Sequence, residues 1–460
     1  MIDDTIAAIA TPLGEGGIGI VRISGPSAID VAKKIFKAKY NNEWYSGPGF
    51  RITYGHVIDN TSGEIVDEVL LSLMLRPKSF TGEDVVEINC HGGILPLKKI
   101  LHLSLNNGAR LGEPGEFSKR AFLNGKLDLA QAESIIDVIR SKTDAGLKIS
   151  INQLQGKLSQ KIYSLQEELL NMLAQIEAVI DFPEDDIDET SLKHINTQSQ
   201  VVLNNIENLI KNADSGRIYR EGVRTVIVGK PNVGKSSLLN ALLKENRAIV
   251  TEIPGTTRDI IEEFINIKGI PLKIIDTAGL RKTEDIVEKI GVERSKEIIN
   301  NADLILFVID ASEGITNEDY EIIKLLKNNN VIVIVNKIDI NSSFNINELK
   351  NEFKDTYITE ISALHNMGLE KLEQEIVEKV MGGQVSVDDQ LLVTNMRHKH
   401  ALDKARLHII EVINGINNGV PGDLISIDIK SAWEALGEIT GSAVSEDIID
   451  KIFNEFCIGK

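Results

Sequence analysis

A short apolar run, Thr225-Val-Ile-Val-Gly229, passes directly into Gly229-Lys-Pro-Asn-Val-Gly234-Lys235-Ser236, and leucines at 238, 239, 242 and 243 then recur at helical spacing. Strand, G-x-x-x-x-G-K-[ST] loop and helix in that order leave a chain few choices. The glycines let successive backbone N–H groups turn toward phosphate oxygens, and the start of the helix adds partial positive charge. Lys235 can reach the β/γ-phosphates and Ser236 can ligate Mg²⁺. Asn232, Val233, Gly234, Lys235, Ser236 and Ser237 are the expected nucleotide-binding residues of this loop.

Three further stretches follow in order. Thr251-Glu252-Ile253-Pro254-Gly255-Thr256-Thr257-Arg258-Asp259 supplies Thr257, which could join Ser236 on Mg²⁺. Leu272 to Asp276 reads as a strand ending in Asp276-Thr277-Ala278-Gly279. The Asp276 carboxylate can bind the ion's water shell and the Gly279 N–H can meet the γ-phosphate. Val331 to Val335 reads as another buried strand, ending in Asn336-Lys337-Ile338-Asp339. A carboxylate there accepts two hydrogen bonds from guanine N1–H and N2–H₂, which adenine cannot offer. Ser362-Ala363, after Tyr357 to Ile361, stands where guanine O6 is usually read. With its motifs at strand ends in this order, the chain resembles the translation-factor-like GTPases, and GTP with Mg²⁺ is the expected ligand.

The 460 residues lead us to expect about three domains. The balance is acidic, 68 Asp+Glu against 50 Lys+Arg for a formal −18, which excludes wholesale coating of nucleic acid but not a local RNA site. Two cysteines cannot make a disulfide framework and suit a reducing compartment. No apolar run approaches a membrane span, and Met1-Ile-Asp-Asp lacks the basic start of a signal peptide. A soluble, cytoplasmic chain with no membrane partner is expected.

Residues 1–120 alternate short apolar runs with glycine. Ile6 to Ala10, Gly19 to Ile23, Val69 to Leu75 and Val85 to Asn89 read as strands, and Ser27 to Phe36 and Leu95 to Leu105 as helices. Gly14-Glu-Gly16-Gly-Ile-Gly19 satisfies G-x-G-x-x-G literally, but Ile18 to Ile23 alternates like a strand where a dinucleotide fingerprint needs a helix. His91-Gly-Gly93 reads as a tight turn, since the chain has no G-x-S-x-G elbow to pair with an oxyanion loop. Cys90 reads as a core residue.

Beyond residue 120 the texture becomes helical. Ile151, Leu154, Leu158, Ile162, Leu165, Leu169, Met172, Ile176 and Val179 step by three and four, predicting one long helix that stops at Pro183. A second helix runs through Val202, Ile206, Leu209 and Ile210, and helical pattern returns from Leu391 to Phe456. Segments 121–216 and 383–460 thus read as two parts of one helical domain, with a GTPase module at 217–382 inserted between them. That module's last helix includes Leu369, Leu372, Ile376 and Val380 and stops at Gly382-Gly383. Met396-Arg-His-Lys-His400 reads as a solvated basic face, and His398, His400 and His408 as a poor metal cage, because helical residues two apart do not share a face.

Together these features resemble the tRNA-modification GTPase MnmE (TrmE) family over the whole chain. The resemblance rests on Gly16-Gly-Ile-Gly-Ile-Val-Arg22-Ile-Ser-Gly25, Ser79-Phe-Thr-Gly-Glu-Asp-Val-Val-Glu87, Arg120-Ala-Phe-Leu-Asn-Gly-Lys126-Leu-Asp-Leu-Ala-Gln131, the inserted GTPase with Gly255-Thr-Thr-Arg-Asp259, and the terminal Cys457-Ile-Gly-Lys460. It implies a multi-domain α/β plus α fold: an N-terminal α+β folate-binding, dimerising domain, a helical bundle, and an inserted Ras-like P-loop GTPase. It implies a homodimer that acts with an FAD-dependent partner, MnmG (GidA). Together they build aminomethyl-type (carboxymethylaminomethyl) groups on C5 of the wobble uridine of tRNA. By the same resemblance, Arg22, Glu87, Lys126 and Lys460 match positions that bind 5-formyltetrahydrofolate or a related one-carbon folate. Cations suit the glutamyl carboxylates and a carboxylate suits the pterin N–H groups. Cys457 becomes a candidate catalytic thiol, and Gly125 beside Lys126 predicts a loosely held lysine.

Where many small GTPases carry a water-orienting Gln after Asp-Thr-Ala-Gly, this chain has Leu280, so another group must supply that function. Two sources of transition-state charge stay open. One is Arg258 as an internal arginine finger. The other, implied by the family, is K⁺ held by Asn232, Thr251, Ile253 and Thr256, with Glu288 orienting the water. A GTPase switch that binds RNA or the ribosome without modifying it is the alternative reading of the whole. The N-terminal folate-type domain and the terminal Cys favour the enzyme.

Overall fold

The computed structural model describes residues 4–40, 43–47, 49–181, 189–246, 263–275, 298–327, 329–340, 344–353, 356–382 and 392–460. The N-terminal part is β1 (Ile6–Ile9), β2 (Gly16–Ser24), α1 (Ala28–Ile35), β3 (Phe36–Ala38), β4 (Arg51–Ile58), β5 (Ile65–Met74), β6 (Val85–Gly92), α2 (Ile94–Asn106) and β7 (Arg110–Leu111). Its sheet runs β3-β4-β5-β6-β2-β1-β7. Side chains alternate across a strand. Val21, Ile23, Leu71, Leu73, Val86 and Ile88 therefore turn to the core with α1 and α2, while Arg22 and Glu87, cross-strand partners, turn to the other face. The rejected dinucleotide fingerprint is indeed the start of a strand, and Cys90 is a core residue. β3, β4 and β7 carried no sequence signal. β4 reads Arg-Ile-Thr-Tyr-Gly-His-Val-Ile, and its Gly55 is required because a Cβ there would lie 2.3 Å from the Lys37 carbonyl oxygen.

Six helices follow: α3 (Glu116–Leu123), α4 (Leu129–Arg140), α5 (Asp144–Leu154), α6 (Lys157–Asp181), α7 (Glu189–Lys211) and α8 (Ala213–Glu221). The single long helix expected from 151 to 179 is in fact α5 and α6. Apolar spacing runs unbroken across the joint, but Gly156 adopts φ +82 and ends the first helix there.

α8 leads into β8 (Val223–Val228), which continues through α9 (Lys235–Asn246), β9 (Glu263–Ile267), β10 (Ile270–Ile274), β11 (Leu304–Asp310), α10 (Asn317–Leu326), β12 (Val331–Asn336), α11 (Ile346–Glu352), β13 (Ile358–Glu360) and α12 (Leu369–Met381). The sheet order is β13-β12-β11-β8-β10-β9, parallel except for the β9–β10 pair. β11 and β12 are buried at every position, as parallel strands covered on both faces require. The chain then closes with α13 (Met396–Asn417), α14 (Gly422–Thr440) and α15 (Glu446–Asn454). One core contains Leu158, Leu165 and Met172 of α6, Val202 and Ile206 of α7, Ile409 of α13 and Ile429 of α14, so the GTPase module is inserted into a single helical bundle. Among the described residues no helix is long and apolar enough to cross a membrane.

The basic stretch 396–400 is not a solvated face. Met396 and His400 are exposed, but His398 is fully buried and Arg397 partly so. Arg397 Nη2 and His398 Nε2 meet the same Glu133 Oε2 of α4, at 2.8 and 2.7 Å. A charged stretch looks solvated in sequence unless its buried counter-charge, here far away in the chain, is known.

Candidate functional site

The phosphate loop leaves β8 and ends at the first turn of α9. Gly234 has φ +99, and a Cβ on it would lie 2.2 Å from the Asn336 side-chain nitrogen, so only glycine lets the two approach. Asn336 holds three segments together: its Nδ2 donates to Val233 O at 2.9 Å and its Oδ1 accepts from Ala363 N–H at 3.0 Å. Lys337 donates to Asn232 O at 2.7 Å and to Asp310 Oδ2 at 2.6 Å. Burial opposes ionisation of Asp310, yet Lys337 and Ser312 hold its carboxyl below the ordinary range. Asn232 carries φ 61, rare for a residue with a side chain. Lys235 Nζ donates to Gly229 O at 2.8 Å and Lys230 O at 2.6 Å, the ammonium folded onto the loop's own carbonyls. Ser236 and Ser237 are exposed at the start of α9.

Across this cleft the Ser362 side chain hydrogen-bonds the Asp339 carboxylate and lowers its pKa, with lesser help from His365 and Lys337. Asp339 is exposed, whereas Ser362 and Ala363 are buried at the end of β13. The phosphate loop and the two segments expected to read guanine therefore meet at one end of the sheet. Thr251, Glu252, Ile253, Pro254, Gly255, Thr256, Thr257 and Arg258 lie outside the described residues, as do Asp276, Thr277, Ala278, Gly279, Leu280 and Glu288.

A second cluster joins the two ends of the chain. Arg22 Nε meets Glu87 Oε1 at 2.7 Å, and its Nη1 donates to Gly459 O at 2.9 Å. The rings of Phe80 and Phe117 lie 5.5 and 5.6 Å from the guanidinium carbon. Ile458 bridges Pro114, and Gly459 at φ +87 packs so closely that a Cβ would sit 2.3 Å from Ile9 O. Lys460 is half-buried here. Burial and the neighbouring Arg22 push its pKa down, while Glu87 and Cys457 act in the opposite sense. The Cys457 side chain is exposed. Lys126 stands slightly apart, its Nζ donating to Pro77 O at 3.1 Å on the loop that carries Phe80.

Gly125 shapes the backbone before Lys126, whose side chain is exposed. It takes φ +67 to end α3, with Gly125 N donating to Phe122 O and Lys126 N to Ala121 O, both at 2.9 Å. That geometry fixes the backbone of Lys126.

A family model for the MnmE helical domain matches residues 129–457, and one for the GTP-binding protein TrmE N-terminus matches residues 5–126. The tRNA modification GTPase MnmE of Desulforamulus reducens is 60% identical over 461 residues, covering 100% of both chains. The protein of that name from Alkaliphilus oremlandii is 56% identical, again over 100% of both. That from Staphylococcus aureus RF122 is 49% identical over 99% of each. The chain belongs to the MnmE family.

In this MnmE-family chain several residues of both clusters escaped sequence reasoning. Asp310 lies beside the phosphate loop and Lys230 within it, and Phe80, Phe117 and the Gly459 carbonyl lie around Arg22. Phe80 and Gly459 fall inside quoted motifs, but nothing in the order of residues says that both converge on one arginine. Among the described residues no group of three His, Cys, Asp or Glu could hold a metal ion.

Proposed function

We propose that this MnmE-family GTPase acts with an FAD-dependent partner, MnmG, on tRNA. Its product is an aminomethyl-type, carboxymethylaminomethyl group at C5 of the wobble uridine. The observation that carries this reading is the C-terminal tail: Gly459 O and the half-buried Lys460 sit against Arg22 and Glu87, so the exposed thiol of Cys457 stands beside a cluster of two cations and a carboxylate. Those groups fit a one-carbon folate such as 5-formyltetrahydrofolate. Arg22, Lys460 and Lys126 would take its glutamyl carboxylates and Glu87 its pterin N–H groups. The folate supplies a one-carbon unit; this chain binds it, orients it, and offers Cys457 as the thiol.

At the other site, GTP displaces the Lys235 ammonium from Gly229 O and Lys230 O toward its phosphates. Asp339 accepts the guanine N–H pair, with Ser362 and Ala363 at O6. Exposed Ser236, together with Thr257, would hold Mg²⁺, which neutralises phosphate charge. Asn232, Thr251, Ile253 and Thr256 would hold K⁺, with Glu288 orienting water and Arg258 the alternative source of charge. The protein works as a cytoplasmic homodimer. The names of the relatives, tRNA modification GTPase, support the joint reading.

The test combines the purified chain, MnmG, GTP, 5-formyltetrahydrofolate and tRNA, with the wobble nucleoside read by mass. A mass gain that requires both proteins is expected, with GTP hydrolysis faster in potassium than in sodium at equal ionic strength. GTP hydrolysis with an unchanged nucleoside would leave the RNA-binding switch as the better account.

A further inference from the structure

Lys230 is the second residue of the phosphate loop, and its ammonium points to the start of α10. It is only 6% exposed. Its Nζ lies 3.2 Å from Glu313 Oε2, 3.0 Å from Thr316 Oγ1 and 3.2 Å from Asp319 Oδ2, all in or beside the start of α10. Asp319 is fully buried, and the same Oδ2 accepts the Thr316 N–H and hydroxyl, each at 2.8 Å, closing the cap of that helix. Its other oxygen, Oδ1, has no hydrogen-bond partner, so the carboxylate leans on one cation and one cap. Removing the cation would leave this buried carboxylate uncompensated, which is costly.

The main chain of the same residue faces the other way. Lys230 O accepts the Lys235 ammonium at 2.6 Å, beside Gly229 O. Pro231 follows and restricts Lys230 to extended backbone, so tethering the side chain also fixes the direction of the carbonyl.

We propose that Lys230 is a positioning residue for GTP: its tether to Asp319, Thr316 and Glu313 fixes the backbone of the phosphate loop, whose carbonyls hold Lys235 until GTP draws its ammonium to the phosphates. The role is distinct from phosphate binding, since the charge of Lys230 is spent on two carboxylates. It rests on reading this loop as the GTP site.

The test is titration of a fluorescent GDP and a fluorescent GTP analogue into the full-length chain, at a temperature where circular dichroism shows each protein folded. Lys230→Met is expected to weaken both nucleotides roughly tenfold or more and to lower kcat/KM in parallel, since displacing a reacting group slightly has effects of that size. Lys230→Arg keeps the tether's charge and is expected to recover most of the loss. Glu313→Gln removes an exposed partner with little risk to folding and is expected to weaken binding about twofold, an effect that disappears in the Lys230→Met background because the two act through one contact. A folded Lys230→Met that binds both nucleotides as the wild type does, with only a lower melting temperature, would overturn the proposal. If Lys230→Met does not fold, a wild-type affinity in Glu313→Gln would overturn it. A wild-type chain that binds neither nucleotide would instead refute the GTP-site reading itself.

Discussion

Asp339 stands in solvent with its pKa lowered first by the Ser362 side chain, so its carboxylate stays ionised, as the proposed guanine contact requires. Asp339→Asn replaces an acceptor by a donor at one position. It should weaken GTP roughly tenfold or more and favour xanthosine triphosphate, whose base offers an acceptor there. Calorimetric titration of both nucleotides checks this, and unchanged GTP affinity would remove Asp339 from the site. His398 shows the opposite environment. Full burial, with further repulsion from Arg397 and Arg220, outweighs Glu133 and holds its pKa below the free value of 6.5. Burial opposes ionisation of Glu133 too, but His398 and Arg397 bring it to about 2. A folded pKa below the unfolded one means stability is present above the unfolded value and is lost as pH falls. Melting temperature should therefore decline from about pH 6.5 downward. His398→Gln should flatten that decline between pH 6.5 and 5; an equal slope in both proteins would show that another group carries it. The placement of Asp339 beside Ser362 was legible because each stands at the end of a strand that the sequence marks. The Glu133–His398 pair was not, because no periodicity links side chains so far apart in the chain.

The elements themselves follow local rules where those rules act alone. Phosphate loop, β12 and α12 form where the sequence places them, since the first is strand, glycine loop and helix in one stretch, and the last ends on Gly382 at φ +58. α5 and α6 separate at Gly156 because a single left-handed glycine overrides an apolar period that continues across it. β4 was hidden because its glycine serves a close strand contact, not a turn. The tail is the element on which the proposed modification site depends. Gly459→Ala would place a methyl group 2.3 Å from Ile9 O at φ +87, so the tail must leave its seat and Gly459 O must leave Arg22. Folate affinity should fall about tenfold or more while GTP hydrolysis stays near the wild-type rate. Equilibrium binding of 5-formyltetrahydrofolate and a phosphate-release assay on the same preparation read both. Undiminished folate binding would show that the seated tail is not part of that site.

Across the whole molecule, α4 ties the pieces together. Glu133 takes Arg397 and His398 where the chain returns from the GTPase module, and Asp137 takes Arg220 at 2.8 Å where the chain enters it. The other side of α4 packs Leu129, Ala132 and Ile136 with Ile449, Phe453 and Phe456, the segment that carries the tail. The GTPase module has its own sheet, and its core, with Leu306, Ile332 and Leu372, also takes in Ile149 of α5 but no residue of the C-terminal tail. The insertion of that module in a helical bundle was readable from helical periodicity on both sides of it. The meeting of residue 22 with residue 459 is a product of packing that no local pattern encodes; only the family resemblance, which set Arg22 beside Lys460, pointed to it. The most direct measurement removes Cys457 through Lys460 and follows two quantities in one preparation, GTP turnover and the mass of the wobble uridine in tRNA incubated with MnmG and 5-formyltetrahydrofolate. We predict turnover close to the intact chain and no modified nucleoside. Modification at the normal rate by the shortened chain would contradict the account.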